Sequence, residues 1–466
     1  MRENFTVMLI RFTIDNILSF GEQKTFHTLP NKRLGTLKPH IYPFEGFDIL
    51  KLSAIYGANG AGKSNLVQGL EMLRYLVTEE SIPSKLKNGQ FKFQNNRKNK
   101  SQVLAIEFVQ DNTVFYYAIE IKDGVILTEE LYESGLNIKA DSLIFERKTI
   151  ENNKTTLQFS EIFEHDEKTP FLKEVLLDFI KPNKPALKLI SDRDFKDFKI
   201  VKKAYQWFET LTIIRPHSKP IALAHQIDID ADFKAFADDI MRSFNIGIVD
   251  LFIEKTKIED FFGNENEEKL EELRDKVEKS PQKMMQIRRI NDTEGIFLVK
   301  EKDGVYIKTL QLRHKGGSNI TANFDMDEES DGTIRLLDFI PVFRGLVTKN
   351  RVFVIDEIER SIHPLLIKEL LKKFSLDSDT KGQLIFTTHE SNLLDQNIFR
   401  QDEIWFAEKD ETGSTDLYSL SAFKEHKTID IQRGYLNGRY GSIPFLGNLQ
   451  ELNWHNNAHQ ESLIHA

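Results

Sequence analysis

Cysteine is absent from the 466 residues. Its absence excludes a disulfide framework, a thiolate zinc site, an iron–sulfur cluster and a cysteine nucleophile, and it fits a reducing cytosol. Long hydrophobic runs are missing too. No stretch approaches the roughly 18 apolar residues of a membrane helix, and Arg2, Glu3 and Arg11 bracket only a short apolar start, so the expectation is no membrane span and a cytoplasmic location. Positive charge is not in excess. With 63 Lys plus Arg against 72 Asp plus Glu, the net charge is −9. Affinity for nucleic acid is therefore not built into the whole molecule and would need a local basic patch. The basic loops Lys92 to Lys100 and Arg313 to Lys315 are the places to look, although scattered surface lysines are their simpler reading. There is no fixed-period repeat and no low-complexity segment. What remains is 40% hydrophobic and 29% charged, the composition of an ordinary globular chain long enough for two to four domains.

The pattern along the chain changes period several times. Phe12 to Ile14, Ile17 to Phe20 and Lys24 to Phe26 read as strands, with Asn16 and Gly21 as turn points. Leu50 to Tyr56 is apolar and β-compatible, runs into glycines, and is followed by Leu66, Leu70, Leu73 and Val77 on one helical stripe. Strand, glycine loop and helix follow in that order. Val103 to Val109, Val114 to Ile121 and Val125 to Leu131 return to period two and predict two hairpins. From about 160 to 290 helical stripes dominate, including Lys202 to Leu211 and Phe233, Phe236, Ile240 and Phe244. The charged stretch Glu265 to Lys279 reads as a solvated helix face. Ile296 to Lys300 and Val305 to Leu312 predict another hairpin, and the last third alternates helix and strand. The expected division is 1–160 and 291–466 as two parts of one α/β head, with 161–290 as a helical insertion making oligomer or partner contacts.

Four motifs carry chemistry. Gly57-Ala58-Asn59-Gly60-Ala61-Gly62-Lys63-Ser64 matches the phosphate-binding pattern GxxxxGK[ST], and its place between strand and helix is the right one. Backbone N–H groups of Gly57, Asn59, Gly60, Gly62 and Asn65 would cradle phosphates at the positive end of the helix. Lys63 would reach the β- and γ-phosphates of ATP, and the Ser64 hydroxyl would bind Mg²⁺. Val352 to Ile355 reads as a buried parallel strand that delivers Asp356 to Mg²⁺ and places Glu357 to polarise a water for attack on the γ-phosphate. Leu384 to Thr388 repeats that geometry and delivers His389. Ser330-Asp331-Gly332-Thr333 precedes a helix, where Ser330 or Asp331 would act as N-cap; the sharper reading makes Ser330 and Gly332 a second phosphate contact.

In this order the motifs resemble those of the ATP-binding-cassette ATPases in their soluble branch, which includes the SMC, RecF and OLD proteins. Asn16-Ile17-Leu18-Ser19-Phe20, Glu359-Arg360-Ser361-Ile362-His363-Pro364 and Gly438-Arg439-Tyr440-Gly441-Ser442-Ile443-Pro444 further resemble a bacterial AAA-type ATPase group common in phage-defence operons. The resemblance implies an α/β fold, a P-loop ABC-ATPase head with an antiparallel β subdomain and a helical insertion. It also implies a homo-oligomer, as ATP-sandwich dimers or a ring, in which Ser330 and Gly332 of one subunit meet the nucleotide on Lys63 of another. Glu357 becomes the catalytic glutamate, His389 the switch histidine, and Gln94 the candidate for the Mg²⁺-sensing glutamine. The signature segment departs from LSGG, and Asp331 would repel a triphosphate unless turned away. The implied partners are a separate toxic effector of Toprim nuclease type and a phage-encoded trigger. A DNA-clamping genome-maintenance ATPase of the RecF or SMC type is the alternative. A self-contained nuclease is disfavoured, because the stretch after His389 is short and its acidic residues Glu408, Asp410 and Glu411 fall at a hairpin turn.

Overall fold

The computed structural model describes residues 6–93, 100–136, 138–150, 154–160, 169–193, 198–218, 223–263, 267–280, 283–287, 296–426 and 429–443. Its centre is a six-stranded sheet in the order Thr212–Ile214, Val352–Ile355, Gln383–Thr388, Leu52–Tyr56, Ile404–Lys409 and Thr415–Ser419. The first five run parallel and the last returns as an antiparallel hairpin. The inner strands Val352–Ile355 and Leu52–Tyr56 are almost wholly apolar because both faces are covered. Ile55, Val354 and Ile385 point into one core, and Ala54, Tyr56, Phe353, Ile355 and Phe386 into the other.

The first core lies between this sheet, the Lys63–Glu79 helix and an antiparallel sheet of seven strands, with Thr113–Lys122 at its middle, Gln102–Gln110 and Val125–Glu133 on either side of it, and Val7–Asp15 next to the Lys24–His27 edge. The expected hairpins at 103–131 are therefore present. Ile17 to Phe20 is not a strand: Asn16 and Leu18 take left-handed φ of 54° and 53°, and Ile17 and Phe20 close a tight turn. The second core packs the Asp331–Thr348 and Pro364–Leu376 helices under the other face.

The 161–290 segment, expected as a helical insertion, is not wholly helical and is shared among three cores. Trp207 and Phe208 on the Lys199–Thr210 helix join the first core, and Phe233 and Met241 on Ala231–Ser243 join the second. Between those two helices the β-branched run Thr212–Ile214 forms an edge strand of the central sheet. Ile248–Lys257 and Met284–Ile287 belong to a separate antiparallel sheet with Ile296–Glu301 and Gly304–Lys315, against which the charged Glu267–Lys279 helix buries Leu270 and Val277. That helix is solvated on one side and anchored on the other. Among the described residues, no helix is long and apolar enough to cross a membrane.

Candidate nucleotide site

Parallel register delivers one polar group after another to the carboxyl edge of the central sheet. Thr387 lies opposite Ile55, Ile355 opposite Phe386, and Ile214 opposite Ile355. Tyr56 therefore runs into the glycine loop on the same edge where Ile355 hands over to Asp356, Thr388 to His389 and Ile214 to Arg215. Ligands of open α/β sheets bind at such an edge.

The loop is closed by contact. Gly62 has φ +108°, and a Cβ there would lie 2.1 Å from Thr415 Oγ1; one on Gly57 would lie 2.4 Å from the carbonyl oxygen of Ala407. Only glycine fits either place. Thr415 Oγ1 donates to the Ala61 carbonyl, and Asn65 Nδ2 donates to Ser19 Oγ, which stands 2.8 Å from Thr415 Oγ1. Asn59 and Gly60 remain exposed at the tip. Gly62 begins the Lys63–Glu79 helix without a side-chain cap, so its first N–H groups face outward unpaired by the helix itself. The Lys63 ammonium curls back, donating to the carbonyls of Gly57 at 2.6 Å and Ala58 at 3.1 Å. Burial holds its pKa below the ordinary lysine value, against the pull of Glu359, Glu357 and Asp356. Beside the loop is a cavity of about 680 Å³ bordered by Ser19, Asn65, Gln68 and Phe93.

Facing the loop is a row of carboxylates. Asp356 is buried, and its Oδ1 accepts from Ser64 Oγ at 3.0 Å and Thr387 Oγ1 at 2.7 Å, while Oδ2 accepts from Arg215 Nη1 at 3.1 Å. Glu357 has φ +53°; its N–H donates to Thr387 Oγ1, and its carboxylate is 3.7 Å from Arg360. His389 sits over Glu359, with Nδ1 2.7 Å from Oε1 and its backbone N–H donating to the same oxygen. Glu359 Oε2 and the Tyr56 hydroxyl are buried with no hydrogen-bond partner among the described residues, and the nearby carboxylate adds to burial in pushing the Tyr56 pKa up.

The sheet thus brings Gly57 to Asn65, Asp356, Glu357 and His389 together. Ser330 has a local role. It caps the Asp331–Thr348 helix by accepting from Thr333 N, and Gly332 packs on the carbonyl of Ser361. Among the described residues, no hydrogen bond links Ser330 or Gly332 to the loop of the same chain. Gln94 lies outside the described residues, as does most of the Lys92 to Lys100 loop. Arg313 in the other basic stretch faces Asp250 at 3.5 Å and Asn323. Sequence reasoning missed Arg215, Thr387, Glu359 and Thr415. Arg215 had a signal: Thr212-Ile213-Ile214 is a β-branched run ending in a charge, the same pattern that revealed Asp356.

A parallel sheet that feeds a glycine loop and a helix, with an acidic strand end 3.0 Å from the loop serine, defines a P-loop nucleotide-binding protein. Residues 52–395 match the family described as "AAA domain, putative AbiEii toxin, Type IV TA system", and the chain belongs to it. No curated protein matches the sequence. Among solved structures, an SMC head bound to the C-winged helix domain of ScpA overlaps at 13% identity and a TM-score of 0.41, covering 90% of this chain and 99% of that one. The SMC head domain from Thermotoga maritima overlaps at 11% identity and 0.37, covering 88% and 98%. An Smc head with an extended coiled coil, bound to the C-terminal domain of ScpA derived from Pyrococcus furiosus, gives 12% and 0.38, covering 90% and 97%.

Proposed function

We propose that the protein binds and hydrolyses ATP and acts as the sensor and scaffold subunit of an anti-phage defence complex. The observation that carries the ATPase reading is the 3.0 Å contact between Ser64 Oγ and Asp356 Oδ1, two hard oxygen donors at the mouth of a glycine cradle. They fit Mg²⁺ arriving with a nucleotide; among the described residues, no cluster of three His, Asp or Glu side chains could hold a metal unaided. When bound, Mg²⁺ would neutralise charge on the β- and γ-phosphate oxygens. The N–H groups of Gly57, Asn59, Gly60 and Gly62 would hold the phosphates, and the adjoining cavity would take base and ribose. Asn65, whose N–H donates to the Gly62 carbonyl at 3.0 Å and whose side chain donates to Ser19, would fix the loop around them. Lys63 would exchange two carbonyls for phosphate oxygens. Glu357 would orient the attacking water and accept its proton, and His389, fixed through Glu359, would face the γ-phosphate.

Because no hydrogen bond among the described residues ties Ser330 or Gly332 to their own loop, they are suited to complete the nucleotide site of a second copy. ATP would then be the bond between subunits, in dimers or a ring. Within the family this resembles AriA, the ATPase subunit of the PARIS anti-phage system. On that reading the oligomer works in the cytoplasm and holds a separate effector, of Toprim nuclease type, until a phage protein releases it.

The test is binding and turnover by the purified protein. Lys63→Ala should abolish ATP binding, and unchanged affinity would sink the site. Glu357→Gln should keep binding, slow hydrolysis by about 100-fold or more, and accumulate ATP-bound oligomers seen by light scattering. A size that ignores ATP in both the natural protein and Glu357→Gln would refute the sandwich.

A further inference from the structure

We propose that Arg215 is a resident competitor of magnesium: its guanidinium holds Asp356 while the site is empty of metal and retreats onto Glu71 when Mg²⁺ arrives. This rests on the nucleotide reading above and adds a residue that sets the metal requirement.

The placement of Arg215 follows from the sheet. Ile214 pairs with Ile355, and the backbone N–H of Asp356 donates to the Ile214 carbonyl at 2.9 Å, so residue 215 leaves the sheet alongside residue 356. The turn that follows is fixed by Arg215 N donating to Ser218 Oγ and Ser218 N donating to the Arg215 carbonyl, both at 2.9 Å. Pro216 restricts Arg215 to extended backbone. Its side chain then spans two carboxylates. Nη1 donates to Asp356 Oδ2 at 3.1 Å and to the Ser64 carbonyl at 3.3 Å, while Nε and Nη2 both donate to Glu71 Oε2, at 3.1 and 2.7 Å. Glu71 lies two turns along the helix from Ser64, on the same face.

Chemistry makes this a competition. Ser64 and Thr387 both use Asp356 Oδ1, so Oδ2 is the oxygen Arg215 occupies. The Asp356 side chain is only 3% exposed, and a carboxylate so buried needs a cation. Arg215 supplies one. Two cations on one carboxylate repel, so Mg²⁺ held by Ser64 and Asp356 and a guanidinium on Oδ2 disfavour each other. The other end of the span is looser. The Glu71 side chain is 42% exposed and the Arg215 side chain 24%, so their pairing is solvated, weak and easily adjusted. Glu71 thereby gives the guanidinium a place to go at low cost, and the forked head of arginine suits it to hold both carboxylates at once.

The experiment titrates Mg²⁺ into the full chain with a fluorescent ATP analogue at fixed concentration and reads the midpoint. Arg215→Ala should lower the Mg²⁺ midpoint about tenfold, and Glu71→Gln, which removes the retreat, should raise it severalfold; Arg215→Lys should stay near the natural value. Loss of a merely structural contact would not move the two midpoints in opposite directions. Shifts of the same sign, or none, with analogue binding intact, overturn the proposal alone. If Arg215→Ala melts too low to titrate, Glu71→Gln decides, and an unchanged or lowered midpoint overturns it. A natural protein that binds no analogue at saturating Mg²⁺ overturns the nucleotide reading and this proposal with it.

Discussion

The glycine loop and the acidic row facing it share one sheet edge but are held by opposite means. The loop is fixed by backbone shape: two glycines pressed on Thr415 and Ala407, and hydroxyls of Ser19 and Thr415 tied to Asn65 and Ala61. The acidic row is held by side-chain charge. Asp356 is on Arg215, Glu357 faces Arg360, and Glu359 is on His389. The backbone of the first arrangement is preformed, and only the Lys63 ammonium has to leave its two carbonyls for a phosphate. In the second, each group already has a partner, so a metal and nucleotide must displace what is there. Binding energy is therefore spent on one side of the site and collected on the other.

The largest expected effect tests the rigid side. Gly62→Ala meets Thr415 Oγ1 and a φ of +108°, so it should destabilise the fold by about 3 kcal/mol and abolish nucleotide binding. A melting temperature and ATP affinity equal to those of the natural protein would show the loop yields, and the contrast would collapse. Thr387→Val tests the charged side, removing the hydroxyl that donates to Asp356 and accepts from the Glu357 N–H. Denaturant unfolding should register a loss of about 1–3 kcal/mol; no loss would mean the row is held by Arg215 and Ser64 alone.

The smallest effect concerns the far end of the Leu52–Tyr56 strand that feeds the glycine loop. Lys51 just precedes Leu52, is buried, and donates to the Asp377 carbonyl and Thr380 Oγ1; burial lowers its pKa to about 8 from 10.5. Between pH 8 and 10.5 the unfolded chain binds more protons there than the folded one, so this residue makes stability rise with pH across that window. Lys51→Met should flatten the rise in melting temperature, and an unchanged slope would assign it to another group.

The loop was legible in sequence because its letters and the switch from strand to helix coincide within about twenty residues. Asp356, Glu357 and His389 were legible as polar ends of apolar runs. Arg215 was not, since its strand is three residues long and its partner Asp356 is 141 positions away. The same limit hid the sharing of 161–290, where helical stripes stood out and Thr212–Ile214 did not. Ile17 to Phe20 misled in the other direction. Apolar content suggested a strand, while Asn16 and Leu18 turn left-handed so that Ser19 can brace Asn65 and Thr415.

The order of strands in the central sheet has a consequence for how the protein is made. Among the described residues, Leu52–Tyr56, which carries the glycine loop, pairs only with Gln383–Thr388 and Ile404–Lys409. At about 5–20 residues per second a ribosome needs tens of seconds to cover that gap. Throughout that interval the phosphate loop is a peptide without a sheet. Closing so long a loop makes the contact order high and folding correspondingly slow. The site can form only once nearly nine-tenths of the chain exists, so a truncated product has the phosphate-binding letters and no means of using them.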